Sequence, residues 1–149
     1  MIKQHVPFTN IKEHFSEYEA ENGQTLKFKL VLTDIVVETR EDGEKGSFLE
    51  FKDVGVVITD VKIDTSGFEY ANTNDVTDKD HVKELKFRAV DEVVNIYETQ
   101  KALIFVLTFI TNVYLTNKKD KSGNPILRYK YDKRISAIDK SEIRAGPSP

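Results

Sequence analysis

Residues Ala102 to Leu115 read ALIFVLTFITNVYL, with Thr108, Thr111 and Asn112 as the only clearly polar members. The run is too short to cross a bilayer as a helix, which takes about 20 apolar residues. It is also dense in β-branched and aromatic side chains, the composition of a strand. A strand that is apolar on both faces can leave neither face in water, so the chain must lay a covering layer on each side or recruit a partner for one of them. A polar corner, Asn117 to Pro125 (NKKDKSGNP), ends the run, and Ile126 to Ile138 then alternates more sharply. The two segments predict an antiparallel hairpin. Its deepest face is read as Leu103, Phe105, Leu107 and Phe109. The even-numbered face of Ile104, Val106, Ile110 and Tyr114 is then the one left for a partner.

Upstream, Thr25 to Thr39 reads as a strand with Leu26, Phe28, Leu30 and Leu32 on one face. The polar stretch Arg40 to Gly46 contains Asp42-Gly43, a hairpin signal. Phe48 to Ile63 returns as strand, with Gly55 marking a bulge or bend. Ser66-Gly67 predicts a turn, and Phe68 to Ala71 a short further strand. Two segments carry helical spacing. Asn10 to Glu21 places Ile11, Phe15 and Tyr18 on one narrow stripe, with Asn10 as cap and Glu13 completing a capping box. His81 to Thr99 places Val82, Leu85, Ala89, Val93, Ile96 and Tyr97 on one stripe, widened by Val90 and Val94. Phe87 falls outside that stripe, and a strand over Leu85, Phe87 and Ala89 is the competing reading. The expected fold is α+β: a curved antiparallel sheet of four to five strands packed on one long helix, with a short N-terminal helix. One domain is expected over residues 1–140, with a frayed tail at 141–149.

Several kinds of chemistry are excluded by composition. The chain of 149 residues has no cysteine, so it has no disulfide framework, thiolate metal site or cysteine nucleophile. None of its seven glycines forms a phosphate-cradling motif, and no G-x-S-x-G elbow occurs. His5, His14 and His81 form no i,i+4 histidine pair. The loop carrying Asn74, Asp75, Asp78 and Asp80 lacks the register of a calcium-binding loop, so no metal and no cofactor are expected. The N-terminus has no apolar leader-like stretch, which reads as cytoplasmic.

The net charge of −3 is unevenly spread. Residues 1–100 hold 12 Lys and Arg against 21 Asp and Glu, whereas residues 101–149 hold 10 against 4. A bipolar surface of this kind suits association with a second copy or an anionic partner. The basic residues Lys118, Lys119, Lys121, Arg128, Lys130 and Arg134 surround the hairpin corner, with Tyr129 and Tyr131 interleaved. That pattern fits a nucleic-acid backbone if the tyrosines are free to stack, and a wet strand face if they point inward. Asp34 lies on the otherwise apolar face of Leu30, Leu32 and Val36. An inward carboxylate there suits a general base of a lyase or isomerase, whereas a bulge would carry it to solvent. The leading expectation is a binding or assembly module without enzymatic activity, acting through an exposed sheet face or edge. It is expected to form a homo-oligomer, most simply a dimer, with a protein partner or nucleic acid as other ligands and no membrane insertion.

Overall fold

A computed structural model describes residues 2–141. The tail expected to fray lies, from residue 142 on, outside the described residues. Among the described residues eleven strands form two sheets. In the first sheet, β4 (Gln24–Thr39) is central. β5 (Lys45–Thr59) runs antiparallel along one side of it, and β3 (Ser16–Ala20) and β1 (Ile2–His5) share the other side. β8 (Phe87–Asp91) lies outside β3. In the second sheet, β10 (Ala102–Lys119) is central and β11 (Pro125–Asp139) flanks it. Along the other side of β10 lie β9 (Val94–Glu98), β7 (His81–Leu85) and the two-residue β6 (Glu69–Tyr70), with β2 (Thr9–Lys12) outside β9.

The α+β expectation is overturned. No helix of seven or more residues is present among the described residues, and the only helical turns before Lys140 are Thr73–Asp75 and Asp78–Asp80. The segment read as a long helix is β7, β8 and β9. It starts in the second sheet, crosses to the first after Leu85, and returns by Val94. Each crossing resets the two-residue alternation. Three short strands with two phase breaks thereby imitate a 3.6-residue period over nineteen positions. The supposed stripe is not a buried face, since Val82, Val90 and Val94 are 63%, 46% and 41% exposed. Within β9 the buried residues are Asn95 and Tyr97, two apart. The short N-terminal helix is likewise absent. That segment holds β2 and β3, and Ser16, Tyr18 and Ala20 alternate inward.

The sheets pack face to face around two apolar clusters. One holds Tyr18, Leu26, Phe28, Leu30, Ile110, Val113 and Leu127. The other holds Leu32, Ile35, Tyr97, Ile104 and Val106. Each central strand skips a single residue at one bulge, Thr33 in β4 and Thr111 in β10, and β10 has a further register shift against β11 between Leu115 and Lys119. A bulge interrupts the ladder and frees backbone groups. At each bulge a buried tyrosine from the opposite sheet reaches the neighbouring backbone. The Tyr97 hydroxyl donates to Glu13 Oε2 (2.6 Å) and accepts from the Leu32 N–H (3.3 Å). The Tyr18 hydroxyl donates to Glu92 Oε2 (3.2 Å) and accepts from the Ile110 N–H (3.3 Å). Burial, together with the nearby Glu92 charge, pushes the Tyr18 phenol up to about 12. Burial and the hydrogen bond to Glu13 raise the Tyr97 phenol as well.

Candidate functional site: the open face of the second sheet

The outer faces of the two sheets differ in chemistry. On the first sheet, Lys27 pairs with Glu17 (3.7 Å) and Arg88 with Glu19 (2.6 Å), the ion-paired surface expected of a face in water. On the second sheet the outward column of β10 is Leu103, Phe105, Leu107 and Phe109, all only partly buried. The register sets Ile96 and Val94 of β9 beside Phe105 and Leu107 on one flank, and Ile138 of β11 beside Leu103 on the other. Among the described residues β10 therefore has one covering layer, the first sheet, and an apolar outer column with none.

This reverses the face assignment read from the sequence. Ile104, Val106 and Ile110, expected at a partner interface, lie in the core between the sheets. Phe105, Leu107 and Phe109, expected deepest, lie outside. Alternation places the two sets on opposite faces, but only the position of the first sheet decides which set is buried. The bulge at Thr111 then shifts the phase. Val113 becomes the inward residue and Tyr114 joins the outer face, stacked on His81 with ring centroids 4.3 Å apart.

The basic residues around the hairpin do not form one free patch. Lys118 pairs with Glu69 (2.7 Å), which holds the Glu69 carboxyl below its usual range. Lys119 lies over the Tyr70 ring, 4.5 Å from its centroid, and donates to the Thr65 carbonyl (3.2 Å). Arg128 binds Asp78, whose carboxyl is held low by that contact. Lys130 and Arg134 reach over Tyr114 and Phe109, 5.7 and 5.9 Å from the ring centroids. Lys121 stands exposed at the hairpin tip. Tyr129 and Tyr131 lie on the inward face and pack on Phe28, at 5.3 and 4.7 Å between centroids, with Tyr129 half-buried and Tyr131 still 39% exposed. What the outer face keeps along β11 is Lys130 and Arg134, with Asp132 between them and Arg128 already paired with Asp78.

The bulge at Thr33 also settles the position of Asp34. It turns Asp34 away from the core and brings Ile35 in to join Leu32. Asp34 Oδ2 lies 2.9 Å from His5 Nδ1. The acidic loop is engaged in capping: Asp80 accepts from the Thr77 N–H (2.9 Å) and Asp75 lies within hydrogen-bond distance of Asn72. Among the described residues no group of three or more His, Asp or Glu side chains is placed to hold a metal ion. No helix there is long and apolar enough to cross a membrane.

No family model matches the chain. Searches of curated proteins and of solved structures likewise return no significant match.

The sequence reading missed two kinds of residue. The pairs of buried Tyr18 with Glu92 and buried Tyr97 with Glu13 join residues 74 and 84 positions apart, and nothing local marks them. The outer column of β10 is visible in the sequence as an apolar set, but the side it takes is not. The one signal bearing on that side is Thr108, a polar residue on the even-numbered face that is nonetheless 2% exposed.

Proposed function

We propose that the protein is an assembly module whose second sheet docks, by its outer face, on the same face of a second copy. The observation that carries this is the column Leu103, Phe105, Leu107 and Phe109, contiguous with Ile96, Val94 and Ile138 and lacking a covering layer. A contiguous apolar patch on a sheet face marks an interaction surface more often than a scatter of single apolar residues does. A second copy is favoured by charge. Lys130 and Arg134, with Asp132 between them, lie along the β11 flank of the face, and Glu84 of β7 lies along the other, where Glu98 of β9 is paired with Lys140. A two-fold axis parallel to β10 sets the β11 flank of one copy over the β7 and β9 flank of the other. An axis across the strands sets β11 over β11, with like charges opposed. Apolar burial supplies the affinity and the flanking charges select the orientation.

Light scattering over a micromolar concentration series tests this reading. The expected result is twice the chain mass of 17.1 kDa, with moderate weakening at high salt. Leu107→Lys should return the monomer without loss of the β-sheet circular dichroism. A wild-type mass of one chain throughout the series, in low and high salt, overturns the proposal.

A further inference from the structure

The two sheets are open at the end where the chain passes from β1 to β2, that is, from the first sheet to the second. The crossing residues Val6 and Phe8 pack against the core cluster that contains Tyr97, and the Val6 N–H is tied to the Ile35 carbonyl (2.9 Å). Beside this crossing lies a cleft of about 670 Å³, within the range of small-molecule sites. Val6, Phe8 and Val37 give it an apolar wall. Lys45, from the start of β5, Lys101, from the β9–β10 turn, and Lys140, just past β11, give it a basic rim.

Among the described residues three lysines line this cleft against one carboxylate. Glu98 is, among the described residues, the only carboxylate lining the cleft, and it is paired with Lys140 (2.8 Å). His5 also lines the cleft, and its ring nitrogen is occupied by Asp34 (2.9 Å). Asp139, close to Lys101, is engaged by the backbone N–H and hydroxyl of Ser141 (2.8 and 2.7 Å). Among the described residues Lys45 and Lys101 take part in no ion pair, although both face the same opening. A basic rim over an apolar wall is complementary to a molecule with an acidic head and an apolar body.

We infer that this cleft binds a small amphipathic anion, its apolar body against Val6, Phe8 and Val37 and its carboxylate or phosphate between Lys45 and Lys101. The site shares only Glu98 with the flank of the second sheet's outer face and does not depend on self-association. Two charge-assisted hydrogen bonds account for head-group selectivity of at least about tenfold.

Calorimetric titration of the full chain with octanoate and with octyl phosphate tests the inference, with octanol and octylammonium as matched bodies lacking the anion. Saturable binding of either anion is expected, about tenfold tighter than both controls, and the tighter of the two identifies the head group. Lys45→Glu combined with Lys101→Glu should weaken that binding by about tenfold or more, because both side chains are at the surface and their loss leaves the core intact. Leu107→Lys, on the outer face of the second sheet, should leave it unchanged. Absence of saturable binding by both anions overturns the inference. So does equal binding of the uncharged alcohol, or insensitivity to the double lysine substitution.

Discussion

Gly55 offers the sharpest test of how the sheets fit together. The sequence suggests a bulge or bend there, but the pairing of β4 with β5 runs through it without a shift, with Gly55 opposite Phe28. Its role is close approach. A Cβ built on Gly55 would lie 2.0 Å from the Tyr129 hydroxyl and 2.7 Å from Cζ. Tyr129 cannot retreat freely, because its ring packs edge-on against Phe28 at 5.3 Å. Gly55→Ala therefore has two opposing effects. Lowering the conformational freedom of the unfolded chain stabilises by about 0.4–1 kcal/mol. Overpacking the site destabilises by about 1–3 kcal/mol. The second exceeds the first, and a net loss of about 1–2 kcal/mol is expected. In a Tyr129→Leu background the clash with the hydroxyl is gone, and Gly55→Ala should become neutral or slightly stabilising. Urea unfolding of the four proteins, at one fixed protein concentration, should give a coupling energy of about 2 kcal/mol between the positions. A stabilising Gly55→Ala in the wild-type background, or the same effect in both backgrounds, would show that Tyr129 does not sit over Gly55.

Other expectations rest on the buried tyrosines and the corrected faces of β10. Tyr18 titrates near 10.0 when unfolded and is pushed up to about 12 in the fold, so its contribution is fully present below about pH 10 and is lost as pH rises toward 12. Stability measured between those values should fall by about 1.4 kcal/mol per pH unit for this group, and Tyr18→Phe should flatten the slope by that amount. Tyr97→Phe removes the donor to Glu13 and the acceptor for the Leu32 N–H and should cost about 1–3 kcal/mol in urea unfolding; an effect near zero would mean that solvent replaces both bonds. Val106→Asp should prevent folding, because that side chain is 1% exposed, whereas Phe105→Lys should leave a folded monomer; thermal melts of the two variants that match each other would return the face assignment to doubt.

Much of the strand content was legible because it is locally encoded. The alternation of Leu26, Phe28, Leu30 and Leu32 identifies a strand and its inward face from side-chain period, and that of Leu127, Tyr129 and Tyr131 identifies a strand while leaving open whether the tyrosines point inward. The two hairpin tips were equally plain. Asp42-Gly43 and Ser122-Gly123 place glycines at φ of 87° and 81°, where a side chain would be strained. The apolar character of both faces of β10 was also fixed by composition, and with it the need for two covering layers.

Local pattern could not settle what depends on partners distant in the chain. Residues 81–98 are three strands because β3 and β10, far away in sequence, offer edges for them to pair with. A helix keeps its hydrogen bonds within itself and can be proposed from one segment, whereas a strand is defined by its neighbour. The same is true of the bulges at Thr33 and Thr111. Each reverses the facing of the strand residues beyond it, and so decides that Asp34 leaves the core and that Tyr114 leaves the even-numbered set. The inner face of β10 is likewise set by which side the first sheet packs on. The sequence alone therefore determined that β10 needs cover on both sides. Only the tertiary structure decided that Ile104, Val106 and Ile110 receive it from the first sheet while Leu103, Phe105, Leu107 and Phe109 take the outer face, because burial belongs to the packed pair of sheets and not to either strand.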